Sequence, residues 1–223
     1  MSTLIPLMYI LDKENSIANH FIAELREIDI QKDRYRFRRN LERLAEILAY
    51  EISKSLYYQQ KEIQTPLETT SVSLMHDFPV IISVLRAGLP FHQGFLNVFD
   101  HSDSGFIGAF RKHINSDEFE IEMGYEALPP VNGRFVVLAD PMLATGRSML
   151  KAVHHIRKNG SPEKIIIASA IGTPEGIQYI DDHLDGNYEI YLGSLDRELN
   201  EKSYILPGLG DAGDLSFGPK NTH

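Results

Sequence analysis

The stretch from Arg134 to Ile156, RFVVLADPMLATGRSMLKAVHHI, gathers the groups that phosphate chemistry requires. An apolar run ends at Asp140, a loop rich in Ala, Thr, Gly and Ser follows, and a helical pattern resumes near Ser148. Such a layout converges backbone N–H groups, the Thr145 and Ser148 hydroxyls and a helix N-terminus on one point, and that point favours an anion. The loop is not a P-loop, because the lysine of a G-K-[ST] run is absent. Asp140, at the strand end, is placed to reach a sugar hydroxyl or the outer shell of a metal ion. A second glycine-rich stretch, PGLGDAGD from Pro207 to Asp214, matches G-x-G-x-x-G. A dinucleotide site needs a helix after those glycines and a distant acidic ribose ligand. Only Asp214 to His223 follow Gly213, Pro219 among them, so neither is expected to fit. The glycines therefore point to positive φ or to close backbone approach to something else.

The elements that must carry these loops are read from periodicity. Phe37, Leu41, Leu44, Ala45, Leu48 and Ile52 fall at helical spacing, predicting an amphipathic helix over about 33–56 with Asp33 as its cap. VIISVL (80–85), FVVLAD (135–140), KIIIASA (164–170) and YEIYLGS (188–194) read as buried strands. Residues 148–158 and 174–183 read as the helices between the later strands. FIGAF is read as a strand, and EFEIEMGYEALP as a strand with part of a flexible excursion before Pro129-Pro130. Alternation of this kind predicts an α/β fold, a mostly parallel sheet flanked by helices. One domain over 1–223 is expected: an N-terminal helical extension over about 1–75, a core over 76–195 and a C-terminal appendage over 196–223. No repeat or low-complexity segment breaks the chain.

Composition narrows the function classes. With 223 residues, 43% apolar and 24% charged, the chain reads as an ordinary globular protein. No apolar run approaches the roughly 20 residues needed to span a bilayer, and MSTLIPLMYILDKEN lacks the charged start of a signal peptide, so no membrane partner is expected. The absence of cysteine excludes disulfides and thiol catalysis and suits a cytoplasmic location. A formal charge of −9 argues against a broad nucleic-acid surface. The nine histidines show no metal-ligand spacing. The run Arg34, Arg36, Arg38, Arg39, Arg43 reads as a solvated helix face, with an effector nucleotide or a subunit contact as the other reading.

VVLADPMLATGRS resembles the phosphoribosyltransferase signature, and its Pro141-Met142-Leu143-Ala144-Thr145-Gly146 form is similar to that of uracil phosphoribosyltransferases. VLRAGLPF (84–91) resembles that family's pyrophosphate loop, and GAFRK (108–112) its second arginine segment. PEGI (174–177) resembles its later helix start, and YILPGLGDAGD (204–214) its uracil-binding hood. The resemblance runs from about residue 20 to residue 220. It implies transfer of a phosphoribosyl group from 5-phosphoribosyl 1-diphosphate (PRPP) to uracil, giving UMP and diphosphate, with Mg²⁺ arriving on the donor rather than in a protein metal site. It further implies that Arg86 and Arg111 face the diphosphate, where an arginine fork suits bidentate contact. Asp140, Pro141, Met142, Leu143, Ala144, Thr145, Gly146, Arg147 and Ser148 would bind PRPP, with the 5′-phosphate in Ala144 to Ser148. Ile205, Gly210, Asp211 and Ala212 would border the uracil, with Asp211 also near the donor; Arg86, Arg111, Asp140 and Asp211 would form the catalytic set.

The family favours homodimers or higher homo-oligomers, and a GTP effector is part of the expectation. Three features depart from the pattern: Arg147 in place of a second glycine, Pro90-Phe91-His92 in place of smaller residues, and Leu215-Ser216 in place of a more polar pair. Two other readings compete: an RNA-binding pyrimidine-operon regulator on the same fold, which would need a basic face, and a nucleotide-binding paralogue without turnover.

Overall fold

A computed structural model describes residues 7–113 and 119–220, with the side chains of residues 109–123 outside that description. In chain order the elements begin with β1 (Leu7–Ile10), α1 (Ala18–Arg26), α2 (Arg34–Ser53), β2 (Tyr58–Gln64) and β3 (Thr69–Met75). Next come β4 (Val80–Leu85), α3 (Gly88–Val98), β5 (Ser104–His113), β6 (Phe119–Ala127), β7 (Phe135–Ala139) and β8 (Met142–Leu143). The chain continues through α4 (Arg147–Lys158), β9 (Lys164–Gly172), α5 (Pro174–His183) and β10 (Tyr188–Leu195), and finishes with β11 (Glu198–Leu199), β12 (Ile205–Leu206) and α6 (Ala212–Phe217).

The main sheet has the order β1-β10-β9-β7-β4-β5-β6, with β8 added against β9. Every pairing in it is parallel except β5 with β6. Parallel strands covered on both faces must be apolar on both, and β4 and β7 are buried at nearly every position. Ile81, Val137, Ile166 and Ala168 pack with α2 and α3 on one side. Val80, Ile82, Val136, Leu138 and Ile167 pack with α4 on the other. The order reverses beside β4: β5 lies to one side of it, β7 and the later strands to the other. In open α/β sheets, that reversal opens a crevice at the carboxyl ends of the strands.

α2 forms where its apolar spacing placed it. The Asp33 carboxylate accepts from the backbone N–H groups of Tyr35 and Arg36, satisfying two donors of the first turn. Its buried stripe, from Phe37 to Ile52, packs on α3, β9 and β10. FIGAF lies in β5 and FEIEMGYEA is β6, two strands of one antiparallel pair whose register shifts between Gly108 and Ala109.

Two things differ from the sequence reading. The segment before β4 contributes, besides helices, the edge strand β1 and the hairpin β2–β3, every residue of β2 being exposed. Pro90, Phe91 and His92 are buried parts of α3, not a departure at a binding loop. The neutral His92 ring explains its place: its Nδ1 lies 2.8 Å from Ser83 Oγ on β4, and burial pushes its pKa down to about 4.

Gly94 sets how closely α2 and α3 approach. A Cβ there would lie 2.1 Å from the Glu42 carbonyl oxygen and 2.6 Å from Ala45 Cβ, both on α2. Gly94→Ala is therefore expected to force the helices apart, at about 3 kcal/mol, and to lower the melting midpoint by roughly 10 °C. Differential scanning calorimetry checks this, and an unchanged midpoint would contradict the close packing.

Candidate active site

Two strand ends flank the crevice. β7 ends beside β4, Ser83 pairing with Ala139, so Asp140 and Arg86 leave neighbouring strands at the same edge. The Asp140 carboxylate accepts from the Met142 N–H at 3.2 Å. Protein atoms surround that carboxyl even though the residue keeps some contact with solvent, and this desolvation pushes its pKa up to about 7.

The loop that follows is held from below. Its Met142–Leu143 segment pairs with β9, and the Thr173 hydroxyl donates to the Ala144 carbonyl at 2.7 Å while accepting from the Gly176 N–H. Gly146, with φ of 74°, turns the chain into α4 with no side-chain cap on the first turn. A Cβ at Gly146 would lie 2.6 Å from the Gly176 carbonyl oxygen, so the left-handed turn and the contact with α5 both demand glycine. Uncapped first-turn N–H groups need an acceptor, and an anion supplies one. Arg147 is exposed at the start of α4, its guanidinium 5.9 Å from the Tyr179 ring centroid.

Across the crevice stands the hood. Gly208, with φ of 64°, admits no Cβ, which would lie 2.1 Å from the Ile205 carbonyl oxygen. Ile205 and Ala212 have their side chains in the core, while Gly210 and Asp211 are exposed. Contrary to the sequence reading, a helix does fit at the end of the chain: α6 starts at Ala212, before Gly213, with Asp211 accepting from the Asp214 N–H at 2.9 Å. It is six residues long and belongs to the hood.

Arg86 meets the hood directly. Its Nη2 donates to Asp214 Oδ1 at 3.0 Å, and a Cβ built on Gly213 would lie 3.1 Å from Asp211 Oδ1 and 3.6 Å from Arg86 Nη2. The structure thus brings together Arg86, Asp211 and the glycine-rich turn. Arg111 has its backbone in β5 opposite Ile121, and its side chain lies outside the described residues.

Residues that the sequence reading passed over, and one, Arg38, that it read as solvated, hold this arrangement. Arg26 of α1 donates to both carboxylate oxygens of Asp196, at 2.6 and 2.8 Å, and to the Gly208 carbonyl. Asp196 in turn accepts from the Gly208 N–H at 2.9 Å. Arg38 donates to the Ser216 carbonyl at 2.7 Å. Thr173, which holds the Ala144 carbonyl, did have a local signal: Thr173-Pro174 is an N-cap residue followed by proline at the first helical position. The arginine run on α2 is engaged within the chain: Arg36 with Glu24, Arg39 with Glu42, Arg38 with the hood, and Arg43 with Asn40 and the Phe21 ring. Leu215 packs against the core and Ser216 is fully buried, so this departure serves packing. Among the described residues no three His, Asp or Glu side chains converge to hold a metal ion, and no helix is long and apolar enough to cross a membrane.

The family model described as uracil phosphoribosyltransferase matches residues 13–219. A uracil phosphoribosyltransferase of Porphyromonas gingivalis is 44% identical over 94% of this chain and 97% of its own length. One from Pyrococcus furiosus is 40% identical over 88% of this chain and 84% of its own. The solved AQ2163 protein from Aquifex aeolicus superposes with a TM-score of 0.85 at 32% identity, covering 97% of this chain and all of that one. From the phosphate-type loop, through the hood, to a family match spanning nearly the whole sequence, the chain belongs to the uracil phosphoribosyltransferase family.

Proposed function

We propose that the chain joins uracil to PRPP, forming UMP and diphosphate, with the crevice between β4 and β7 as its active site. The observation that carries this reading is the meeting of Arg86 with the hood at the point where the sheet order reverses. Cleavage of the bond between C1 and the diphosphate oxygen develops positive charge on the ribose and negative charge on the leaving group. The chain must therefore fix cationic donors at the diphosphate and hold the base nitrogen in line.

Arg86 supplies the fixed cation, with Arg111 as the second diphosphate partner, and the residues from Ala144 to Ser148 receive the 5′-phosphate through their main chain and hydroxyls. Asp140 accepts from the ribose hydroxyls. Ile205, Gly210, Asp211 and Ala212 border the base: with the Ile205 and Ala212 side chains in the core, their peptide groups are what remain to face it. Uracil accepts at its 4-position where cytosine donates, so fixed N–H and C=O groups meet cytosine with mismatched pairs. Magnesium fits as an ion carried by the donor, since Asp140 and Asp211 are single carboxylates rather than a cage, and it would neutralise charge on the diphosphate.

We propose further that the chain works as a homo-oligomer in the cytoplasm. A two-stranded hairpin is marginally stable alone in water, yet β2–β3 stands exposed, with Leu67 at its tip 93% accessible. A second copy covering it would remove that cost.

An assay of UMP formation tests the function directly. Uracil is expected to be preferred over cytosine by about 10² to 10⁴, from mismatches costing on the order of 1–3 kcal/mol each. Arg86→Ala is expected to lower kcat/KM for PRPP about 10²-fold. Comparable use of the two bases, or unaltered kinetics in the variant, would contradict the reading.

The Asp140 carboxyl, raised to about 7 by burial, gives a pH test. Below that value the free chain holds the proton and the carboxylate needed for the ribose is lost, so kcat/KM for PRPP is expected to fall as pH drops from 8 to 6. Asp140→Asn should lower the rate and remove this limb of the profile. The stability effect has the opposite slope: between about 4 and 7 the native chain holds a proton that the unfolded chain does not, so this group destabilises the fold as pH rises through the window. A limb that persists in Asp140→Asn would assign it to another group.

A further inference from the structure

We propose that Asp214 is a positioning residue that aims Arg86 and ties the diphosphate site to the base site; this rests on the reading of Arg86 as the diphosphate arginine. Asp214 stands between two groups. Its side-chain oxygen accepts from Arg86 Nη2 at 3.0 Å, and its backbone N–H donates to the Asp211 carboxylate at 2.9 Å. Arg86 Nη2 also reaches the Gly218 carbonyl at 3.4 Å, so one edge of the guanidinium is committed to the hood. Arg86 Nε is buried and has no partner, covered on the side where Gly213 packs against it. An arginine on the end of a strand has several rotatable bonds, and a charge-assisted bond at one nitrogen fixes the plane of the whole fork. Nη1 is then the edge left to meet a diphosphate.

The same bond works in the other direction. α6 is too short to be held by its own hydrogen bonds, and its fastenings are side chains from elsewhere: Arg86 through Asp214, and Arg38 through the Ser216 carbonyl. A diphosphate that fixes Arg86 therefore also fixes the helix start that carries Asp211 and Ala212. Occupancy of the donor site favours the hood geometry that the base requires, and by linkage the base favours the donor.

Two opposed roles for Asp214 make opposite forecasts. An aspartate that merely competes with the diphosphate for Arg86 would weaken donor binding, and its removal would tighten it. A positioning aspartate does the reverse. Calorimetric titration of Mg²⁺-diphosphate into the full chain, with steady-state kinetics alongside, separates them. Asp214→Ala is expected to weaken diphosphate binding about tenfold and to raise the KM for uracil more than it lowers kcat, with the melting midpoint within a few degrees of wild type. Asp214→Asn, which keeps an acceptor oxygen at the same place, should recover part of both losses. Unchanged or tighter diphosphate binding in Asp214→Ala, or an Asn variant no better than Ala, overturns the inference while Arg86→Ala still weakens binding. Wild-type diphosphate affinity in Arg86→Ala overturns the reading of Arg86 and this inference with it.

Discussion

A carboxylate with 3% of its side chain exposed must be paired, and Asp196 is the group from which the hood hangs. It lies just past the end of β10, takes both guanidinium nitrogens of Arg26, and accepts the N–H of Gly208. Three segments meet on that one charge: the end of β10, the glycine-rich turn twelve residues on, and α1 from the other end of the chain. Removing one partner of a buried pair leaves an uncompensated charge, which costs about 3–5 kcal/mol. The N-terminal helices are therefore part of the site's foundation. Arg26 and Arg38 are the parts of α1 and α2 that reach the hood.

With the hood fixed there, the remaining geometry follows from the sheet. A parallel sheet delivers the ends of successive strands to one edge, and the reversal beside β4 leaves Arg86 and Asp140 on either side of a gap. Opposite electrostatic demands are met at these two positions. Arg86 brings a guanidinium fork suited to an anion. Asp140 is stripped of water, so its charged form is disfavoured until something in the crevice compensates. A polar ligand that brings hydroxyl donors and cations is suited to both.

The sequence showed the core strands because burial on both faces leaves a nearly continuous apolar signature, which β4, β7 and β9 carry and β10 carries apart from Glu189 and Ser194. Strand β1 has only four residues and pairs with β10 across most of the chain, so no local pattern marks it. The hairpin β2–β3 has no buried face, and the alternation in it is confined to Ser71–Leu74, too short a stretch to mark two strands. Helix α3 was hidden by its own packing, since Gly94, which lets it approach α2, also weakens the helical pattern. At the site, the loop from Asp140 to Ser148 and the hood glycines were legible because they are local. The bonds Arg86–Asp214 and Arg26–Asp196 span 128 and 170 residues, and nothing in a linear pattern pairs such partners.

We propose that the hood fastened by Arg26 and Asp196 presents its main chain to a base while the Ala144–Ser148 loop holds the phosphate. A crystal structure of the chain with UMP and diphosphate measures this most directly. The expected result has the uracil edge within hydrogen-bond distance of peptide groups between Ile205 and Ala212, the 5′-phosphate on the N–H groups of Ala144 to Ser148, and the diphosphate against Arg86. A base bound away from the hood, or a phosphate seated outside that loop, would contradict it.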